Sequence, residues 1–408
     1  MHRLVEKPLT RPGRSKLRRL GIVTAVLVAL VIGCFNIYKC VKGHDFIWLG
    51  DYIWNSPSFS SNGKTVDVIF LVIDHWEPGG NVLPLQAWMR DYRCMADKHI
   101  DADGVKLQHT WFYPVEQFRG HEVDSLMKLC REGYGEIEVH LHHDRDDSTS
   151  LRKRIDEGID SLQAHGALVS PDGKVHFGFV HGNWALDNSR RRVSGDYCGV
   201  NNEISILLEK GCYADFTFPA LGQDAQPSLA DKIYYCTDDP LKPKSYNTGT
   251  ESSVGYRPRP DQLMIFEGPL CLDWTNWQFV THPHFEDGNL YWEVKTSADR
   301  FEAWLKANIH VEGRPEWVFV RPFTHGCALH HPGDYQNILG ENFHRMLTDV
   351  EEKYNDGVRF RLHYMTSREA YNVVKAAEAG LTGNPNEYRD FLIKPYVYDL
   401  TPEPVAAR

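Results

Sequence analysis

The chain has 408 residues, of which 42% are hydrophobic and 25% are charged, an ordinary balance for a folded protein. This length can bury one large core or two ordinary ones. The formal net charge of −10 argues against a nucleic-acid-binding protein, because such proteins normally present a basic face.

The amino-terminal region contains a long apolar segment. Residues 20–38 are nearly uncharged and about long enough to cross the hydrocarbon core of a bilayer. Seven Lys and Arg residues precede this segment, whereas only Lys39 and Lys42 follow it closely, and this bias predicts a cytoplasmic amino terminus. Residues 35–38 (FNIY) stand where a cleaved signal peptide would have a small-residue site, so we expect an uncleaved anchor.

These features predict a single-pass protein of the bacterial inner membrane whose large domain lies on the periplasmic side. We divide the chain into a basic cytoplasmic segment (1–19), a transmembrane anchor (20–41), a juxtamembrane linker (42–65), a barrel domain (66–395) and a tail (396–408). The nine cysteines form no CxxC pair, which argues against a zinc ribbon or a thioredoxin-like site. Several of them fall within apolar patterns, and we expect these to be small core residues.

Beyond the linker, strand-like and helix-like patterns alternate along the chain. Strands are predicted at 66–73, 105–114, 135–143, 174–182, 213–218, 262–269, 317–326 and 358–366. Helices are predicted at 85–100, 121–133, 151–165, 201–210, 298–309, 341–354 and 367–379. Such alternation predicts an α/β protein with a parallel sheet, and we expect a distorted, TIM-like (β/α) barrel of seven or eight units. The irregular stretch 223–260 is then an insertion or a loop layer.

Histidines and carboxylates collect where these predicted strands end. They are Asp74 and His75, His140 and His142, His181, Asp273 and finally His325. The active site of a parallel barrel is built from the carboxyl ends of its strands, so we expect these side chains to share one rim.

The segment GEIEVHLHHDRDD (135–147) carries the strongest chemical signal. Side chains two apart in a strand share a face, so His140 and His142 are expected to point at one spot while His143 turns away. Two imidazoles with carboxylates just beyond them are the ligands that zinc and similar divalent metals prefer. We therefore predict a metal site here.

From about residue 66 to 380, the order of these elements resembles the NodB-type polysaccharide deacetylases and their barrel glycosidase relatives. In that superfamily the first strand ends in two aspartates, a general base followed by a metal ligand. The corresponding LVIDHWEP implies Asp74 as the base and His75 as the ligand. The family's His-x-x-x-His metal pair falls on His140 and Asp144, and His142 is an alternative to Asp144.

The later motifs of the family imply further roles. Residues 318–325 match the last motif, which implies that His325 protonates a leaving amine or stabilises an oxyanion. Asp273 and Trp274 match the aspartate–tryptophan motif, which implies that Asp273 orients a catalytic side chain. The third motif, which usually carries an arginine, is replaced by HGNWALDNS (181–189). We expect substrate contacts from His181, Asn183, Asp187 and Trp274.

Together these patterns predict a membrane-anchored hydrolase that uses a divalent metal, zinc by preference, to remove acetyl groups from an envelope or exported polysaccharide. Its expected partners are a polysaccharide or oligosaccharide and, through the anchor, a membrane, but no nucleic acid. One alternative is a barrel glycosidase that pairs Glu77 or Glu267 with Asp273. Another is a non-catalytic, glycan-binding barrel, because the second aspartate, the arginine and the second histidine of the family are replaced.

Overall fold

The structure, a computed structural model, describes residues 14–55, 59, 63–190, 197–278, 282–291, 293–327 and 332–398. Its first element is helix α1 (Arg14–Lys42). Within α1, Gly21–Lys42 has a mean hydropathy of 2.2 and no buried residues in its most apolar window, so it is long and apolar enough to span a membrane. The basic residues at 3, 7 and 11 lie outside the described part of the chain.

The segment after α1 packs onto the folded domain. Helix α2 (Leu49–Asn55) follows within a few residues, and Trp48 is 1% exposed in a small apolar cluster with Ala230 and Leu270. The Trp48 ring also contacts Phe285 edge-on, with ring centroids 5.7 Å apart. Part of the predicted juxtamembrane linker is therefore folded against the domain, while residues 56–58 and 60–62 lie outside the described residues.

The remaining elements alternate largely as the sequence predicts. The strands are β1 (Val66–Phe70), β2 (Ile73–His75), β3 (His109–Pro114), β4 (Gly135–Leu141), β5 (Phe177–His181), β6 (Cys212–Asp215), β7 (Ile233–Thr237), β8 (Thr250–Glu251), β9 (Gln262–Phe266), β10 (Cys271–Gln278), β11 (His282–Glu286), β12 (Trp317–Val320), β13 (Phe323–Thr324) and β14 (Phe360–Tyr364). The helices are α3 (Val82–Ala96), α4 (Gly120–Arg131), α5 (Ser148–Ala164), α6 (Glu203–Lys210), α7 (Ala298–Lys306), α8 (Pro332–Ile338), α9 (Glu341–Tyr354) and α10 (Ser367–Glu378).

Most strands belong to one large sheet in the order β13-β2-β3-β4-β5-β6-β9-β7-β8. From β13 to β9 every neighbouring pair is parallel, whereas β7 runs antiparallel to both β9 and β8. The stretch predicted as an insertion or loop layer thus supplies two strands of this sheet. Strands β1 and β12 directly precede β2 and β13 in the chain. Together with β14 they form a separate three-stranded sheet in the order β12-β1-β14.

The predicted TIM-like barrel is not confirmed, because the described strands do not close into a ring. Between β8 and β12, the described residues are joined by isolated bridges, Ser253 to Glu312 and Ile309 to Phe319, instead of a continuous ladder. The antiparallel β7 and β8 occupy the edge at which a parallel barrel would close. The fold is therefore a mixed α/β architecture built on a large, mostly parallel sheet.

Strand β4 shows how the two faces of this sheet differ. Ile137, Val139 and Leu141 belong to the apolar core that includes helix residues such as Leu126 and Ile155. The alternate residues face the other side of the sheet, here called the inner side, where the Glu138 carboxylate accepts hydrogen bonds from Gly178 N (2.6 Å) and the Tyr213 hydroxyl (2.7 Å). Since side chains alternate along a strand, His140 follows Glu138 onto this inner side.

Candidate metal centre

His140 is held by its neighbouring strand. Its ring lies fully buried, with Nδ1 2.8 Å from the carbonyl oxygen of Val180 on β5 and Nε2 2.8 Å from Oε1 of Glu77. Only an N–H can bond to a carbonyl, so Nδ1 carries a proton, while Nε2 lies at hydrogen-bond distance from the carboxylate and donates to it when the ring is doubly protonated. When Nε2 is deprotonated, its lone pair and the Glu77 carboxylate are both available to bind a cation. A backbone bond to the far nitrogen is also how metal-binding imidazoles are commonly oriented.

His75 joins this group from β2. It lies on the same face as Ile73, which belongs to a second apolar cluster that includes Phe112 and Phe323, and His75 is 4% exposed. The ring centroid of His75 is 5.0 Å from that of His140. One ligand atom from each of His75, Glu77 and His140 lies within 4.8 Å of the others. Two imidazoles and one carboxylate, with a further position left open, are a common ligand set of catalytic zinc sites.

His142 contacts the open side of the same group. Its Nε2 lies 3.3 Å from Oε1 of Glu77 and its Nδ1 lies 2.8 Å from Oε1 of Glu116. The rings of His140 and His142 have centroids 4.4 Å apart, and His143 faces elsewhere, which confirms the predicted alternation. Asp144 is exposed and is not among the three residues whose ligand atoms converge.

The carboxylates and imidazoles of the centre shift one another's pKa values. Burial would raise the pKa of Glu77, but hydrogen bonds from His140 and His142 outweigh it and hold this pKa well below its ordinary value. Burial would lower the pKa of His142, but bonds to Glu116 and Glu77 raise it to about 9. For His75, burial and then the neighbouring His325 and His140 lower the pKa well below its ordinary value. His75 is therefore a neutral imidazole near pH 7, the form that binds metals.

His325 stands on the other side of His75. It follows β13 directly, is half-buried, and its ring centroid lies 4.5 Å from that of His75. Its Nδ1 lies 2.5 Å from the hydroxyl of Tyr291. Burial lowers the pKa of His325 below its ordinary value. The structure therefore brings His75, His140, His142 and His325 together at the carboxyl ends of β2, β4 and β13.

Asp74 occupies the opposite face of β2 from His75. Its carboxylate is fully buried and accepts a bond from Gly326 N (2.7 Å) at Oδ1, while Oδ2 lies 2.8 Å from Nε2 of His109. The carbonyl oxygen of Gly326 in turn accepts a hydrogen bond from the indole of Trp88 on α3 (2.8 Å). These bonds fix the turn that carries His325, so the structure places Asp74 behind the centre.

Asp273 and Trp274 are located at a different surface. They line a cavity of about 270 Å³ together with Tyr52 and residues of α7 such as Ala303, none of which belongs to the histidine group. Trp274 is 62% exposed. Glu267, offered above as a glycosidase carboxylate, is buried, and burial raises its pKa well above the ordinary value.

The residues predicted to contact substrate near β5 do not share one environment. Asn183 is exposed, whereas His181 and Asp187 are fully buried. The Asp187 carboxylate accepts a hydrogen bond from Ser245 N (2.6 Å), and burial raises its pKa to about 8. His181 lies against His143 and Glu203, away from Glu77.

The sequence did not indicate that Glu77 belongs to the candidate metal centre. It stands two residues beyond the end of β2, in a stretch without regular secondary structure, so no periodicity predicts the direction of its side chain. The available signal was chemical, since DHWE places a second carboxylate within three residues of a strand-end histidine. No protein-family model matches the chain, and no curated protein matches it.

Proposed function

We propose that the protein is a membrane-anchored, metal-dependent hydrolase that removes acetyl groups from an envelope or exported polysaccharide. The observation that carries the proposal is the convergence of ligand atoms from His75, Glu77 and His140 at the carboxyl ends of β2 and β4. The Glu77 and His142 side chains are 22% and 27% exposed, so this group is open to solvent on one side. Three protein ligands with an open position are typical of catalytic zinc sites, whereas structural sites are closed by four.

The proposed ligands would hold a divalent ion, for which zinc is our first choice because of the nitrogen-rich donor set. When bound, such an ion supplies Lewis acidity that polarises an acyl carbonyl and acidifies water. His142 and His325 flank the ligands on opposite sides. They are the side chains placed to exchange protons with the attacking water and with the leaving group.

In this proposal Asp74 positions His325 instead of taking a proton itself. Both of its oxygens are engaged by groups on the helix side of the sheet, Gly326 N and His109. The Gly326 amide belongs to the residue directly after His325. Removal of the Asp74 charge would therefore act on the geometry of His325.

The experiment uses the full-length protein purified in detergent, with metal analysis and acetate release from acetylated oligosaccharides as the two measurements. His140→Ala removes one of three protein ligands, so metal content at this centre and acetate release should be lost together. His121→Ala, at an exposed position of α4, is the matched control and should keep both. Chelation should abolish acetate release, and added zinc, cobalt or nickel should restore it.

Three results would count against the proposal. A protein that stays inert toward acetylated glycans when loaded with these metals would support the non-catalytic, glycan-binding alternative. Release of reducing ends that persists in the presence of a chelator would support the glycosidase. Full metal occupancy and activity in His140→Ala would mean that the metal is bound elsewhere.

A further inference from the structure

A second group of metal-binding side chains lies next to the candidate centre but faces away from it. His143 follows β4, His181 ends β5, Cys198 lies in the connection between β5 and α6, and Glu203 begins α6. All four side chains are buried, and one ligand atom from each lies within 4.8 Å of the others. This group has the size and closure of a four-ligand site.

The two imidazoles meet through the same nitrogen atom. Nε2 of His143 lies 2.9 Å from Nε2 of His181 and 3.1 Å from Oε1 of Glu203. Nε2 of His181 lies 3.5 Å from the same Oε1 atom. Three potential electron-pair donors therefore converge on a small, water-excluded volume.

The far nitrogens of both rings already face acceptors. Nδ1 of His181 lies 2.5 Å from the carbonyl oxygen of Gly182, and only an N–H can bond there. Nδ1 of His143 lies 3.2 Å from Oδ2 of Asp146, although neither atom has a partner in hydrogen-bond geometry. In the tautomers with both Nδ1 atoms protonated, the two Nε2 lone pairs and the Glu203 carboxylate face one another. In a buried arrangement of this kind the negative charge is offset by a positive one, either a metal ion or a proton on one imidazole.

The sulfur and the carboxylate are also prepared as ligands by the backbone. Asn188 N lies 3.3 Å and Val200 N 3.5 Å from Sγ of Cys198, and Sγ lies 3.4 Å from Oε2 of Glu203. Burial and the Glu203 carboxylate raise the pKa of the thiol to about 12, so its proton would be released when a metal ion binds. Asp187 N donates to Oε2 of Glu203 at 2.6 Å, which leaves Oε1 turned toward the imidazoles. These orienting bonds are those expected around a metal ion.

We propose that His143, His181, Cys198 and Glu203 bind a structural zinc ion, separate from the open centre at His75, Glu77 and His140. Two nitrogens, one sulfur and one oxygen form a donor set that suits tetrahedral zinc. The four ligands fill every position, so this site is closed to substrate. The ion ties the long connection between β5 and α6 to the carboxyl ends of β4 and β5. It thereby holds the backbone of His143 and, with it, the adjacent His142.

The test uses metal-depleted, full-length protein titrated with cobalt, because a thiolate bound to cobalt gives a charge-transfer band in the near ultraviolet that carboxylate and imidazole ligands lack. The wild-type protein and His140→Ala should both show this band, since the open centre contains no sulfur. Cys198→Ser should lose the band and keep the cobalt bound at the open centre. Cys94→Ser, which alters an exposed thiol, is the control and should keep the band.

Zinc content gives the second measurement. Wild-type protein should contain two zinc equivalents, and Glu203→Gln should lose one of them while its cobalt–thiolate band shifts or weakens. Wild-type protein that shows no thiolate band with cobalt would overturn the proposal. The positive charge that offsets the Glu203 carboxylate would then come from a doubly protonated imidazole and not from a metal ion. A Cys198→Ser protein whose band is unchanged would also overturn the proposal. Because the wild-type spectrum alone is decisive, a variant that fails to fold does not leave the proposal untested.

Discussion

Three residues of β4 line the inner side of the sheet with titratable groups, and each is held in its own way. Glu136 pairs with Arg368, with Nη2 of the guanidinium 2.8 Å from Oε1. Glu138 is surrounded by hydroxyl and amide donors without a nearby cation among its bonding partners. His140 faces Glu77. The free-energy cost of burying each side chain is thus offset in a different way: by an ion pair at Glu136, by neutral hydrogen bonds at Glu138 and by a neighbouring carboxylate at His140.

The middle residue of the three gives a prediction about pH. Burial, aided by the Glu136 carboxylate, raises the pKa of Glu138 from 4.5 to about 8. Between these two values the folded state binds a proton that the unfolded state has released, so through this group the free energy of unfolding falls as the pH rises. Glu138→Gln should flatten the fall in melting temperature between about pH 5 and pH 8, because glutamine mimics the protonated acid.

The measurement is thermal unfolding across this pH range in wild type, Glu138→Gln and Glu157→Gln. Glu157 is exposed on α5, so its substitution should leave the slope unchanged. An unchanged slope in Glu138→Gln would show that Glu138 is already ionised in the folded protein at low pH.

At the scale of elements, helix α5 begins in the acidic run that ends the segment 135–147. Its N-cap is Asp147, whose side chain accepts hydrogen bonds from the backbone N–H of Thr149 and Ser150, both at 2.8 Å. The Ser150 hydroxyl in turn accepts a hydrogen bond from the backbone N–H of Asp147, so a complete capping box is present. Asp147 and Asp144 lie three residues apart and look alike in sequence, but only Asp147 has this role.

The two aspartates therefore form a matched pair of variants. Asp147→Ala leaves two amides of the first turn without their side-chain acceptor and should lower the free energy of unfolding by about 1 kcal/mol. Asp144→Ala should change it by less than about 0.5 kcal/mol and keep the full metal content, because this side chain is exposed and lies outside the converging ligands. Denaturant titration and metal analysis measure both. Loss of metal in Asp144→Ala would restore this residue to the ligand role that the family resemblance implies.

Over the whole molecule, local patterns predicted most strands and helices but not how the sheet ends. Strand periodicity correctly put His140 and His142 on one face and His143 on the other. No such signal exists in the sequence for Cys198 and Glu203, because their contact with His143 depends on how the long connection between β5 and α6 folds back onto the sheet. The antiparallel β7 and β8 lie in a stretch with irregular patterning, so the open edge that they create was not foreseen. Pairing across the sheet is decided by contacts far apart in sequence, which a single chain's periodicity does not contain.

The orientation of the whole molecule in the membrane is a separate prediction. The excess of Lys and Arg before residue 20 should keep the amino terminus in the cytoplasm and export the domain. In a bacterial host, alkaline phosphatase fused after Arg408 should be active, and green fluorescent protein fused at the same place should stay dark. Replacement of Arg18 and Arg19 by Glu should weaken this bias in both reporters. A fluorescent, phosphatase-negative fusion of the unaltered chain would mean that the domain is cytoplasmic.

The docking of Trp48 limits how far the domain can travel from its anchor. Helix α1 ends at Lys42, and Trp48 is already buried in the domain, so five residues (43–47) separate the two. Even fully extended, five residues span no more than about 18 Å. Tyr52 and Asp51 add further attachments, to Leu272 N at 3.2 Å and Ala230 N at 3.0 Å. The domain therefore stays close to the end of α1. If α1 lies in a bilayer, a molecule that binds at the candidate metal centre must first come to the membrane surface.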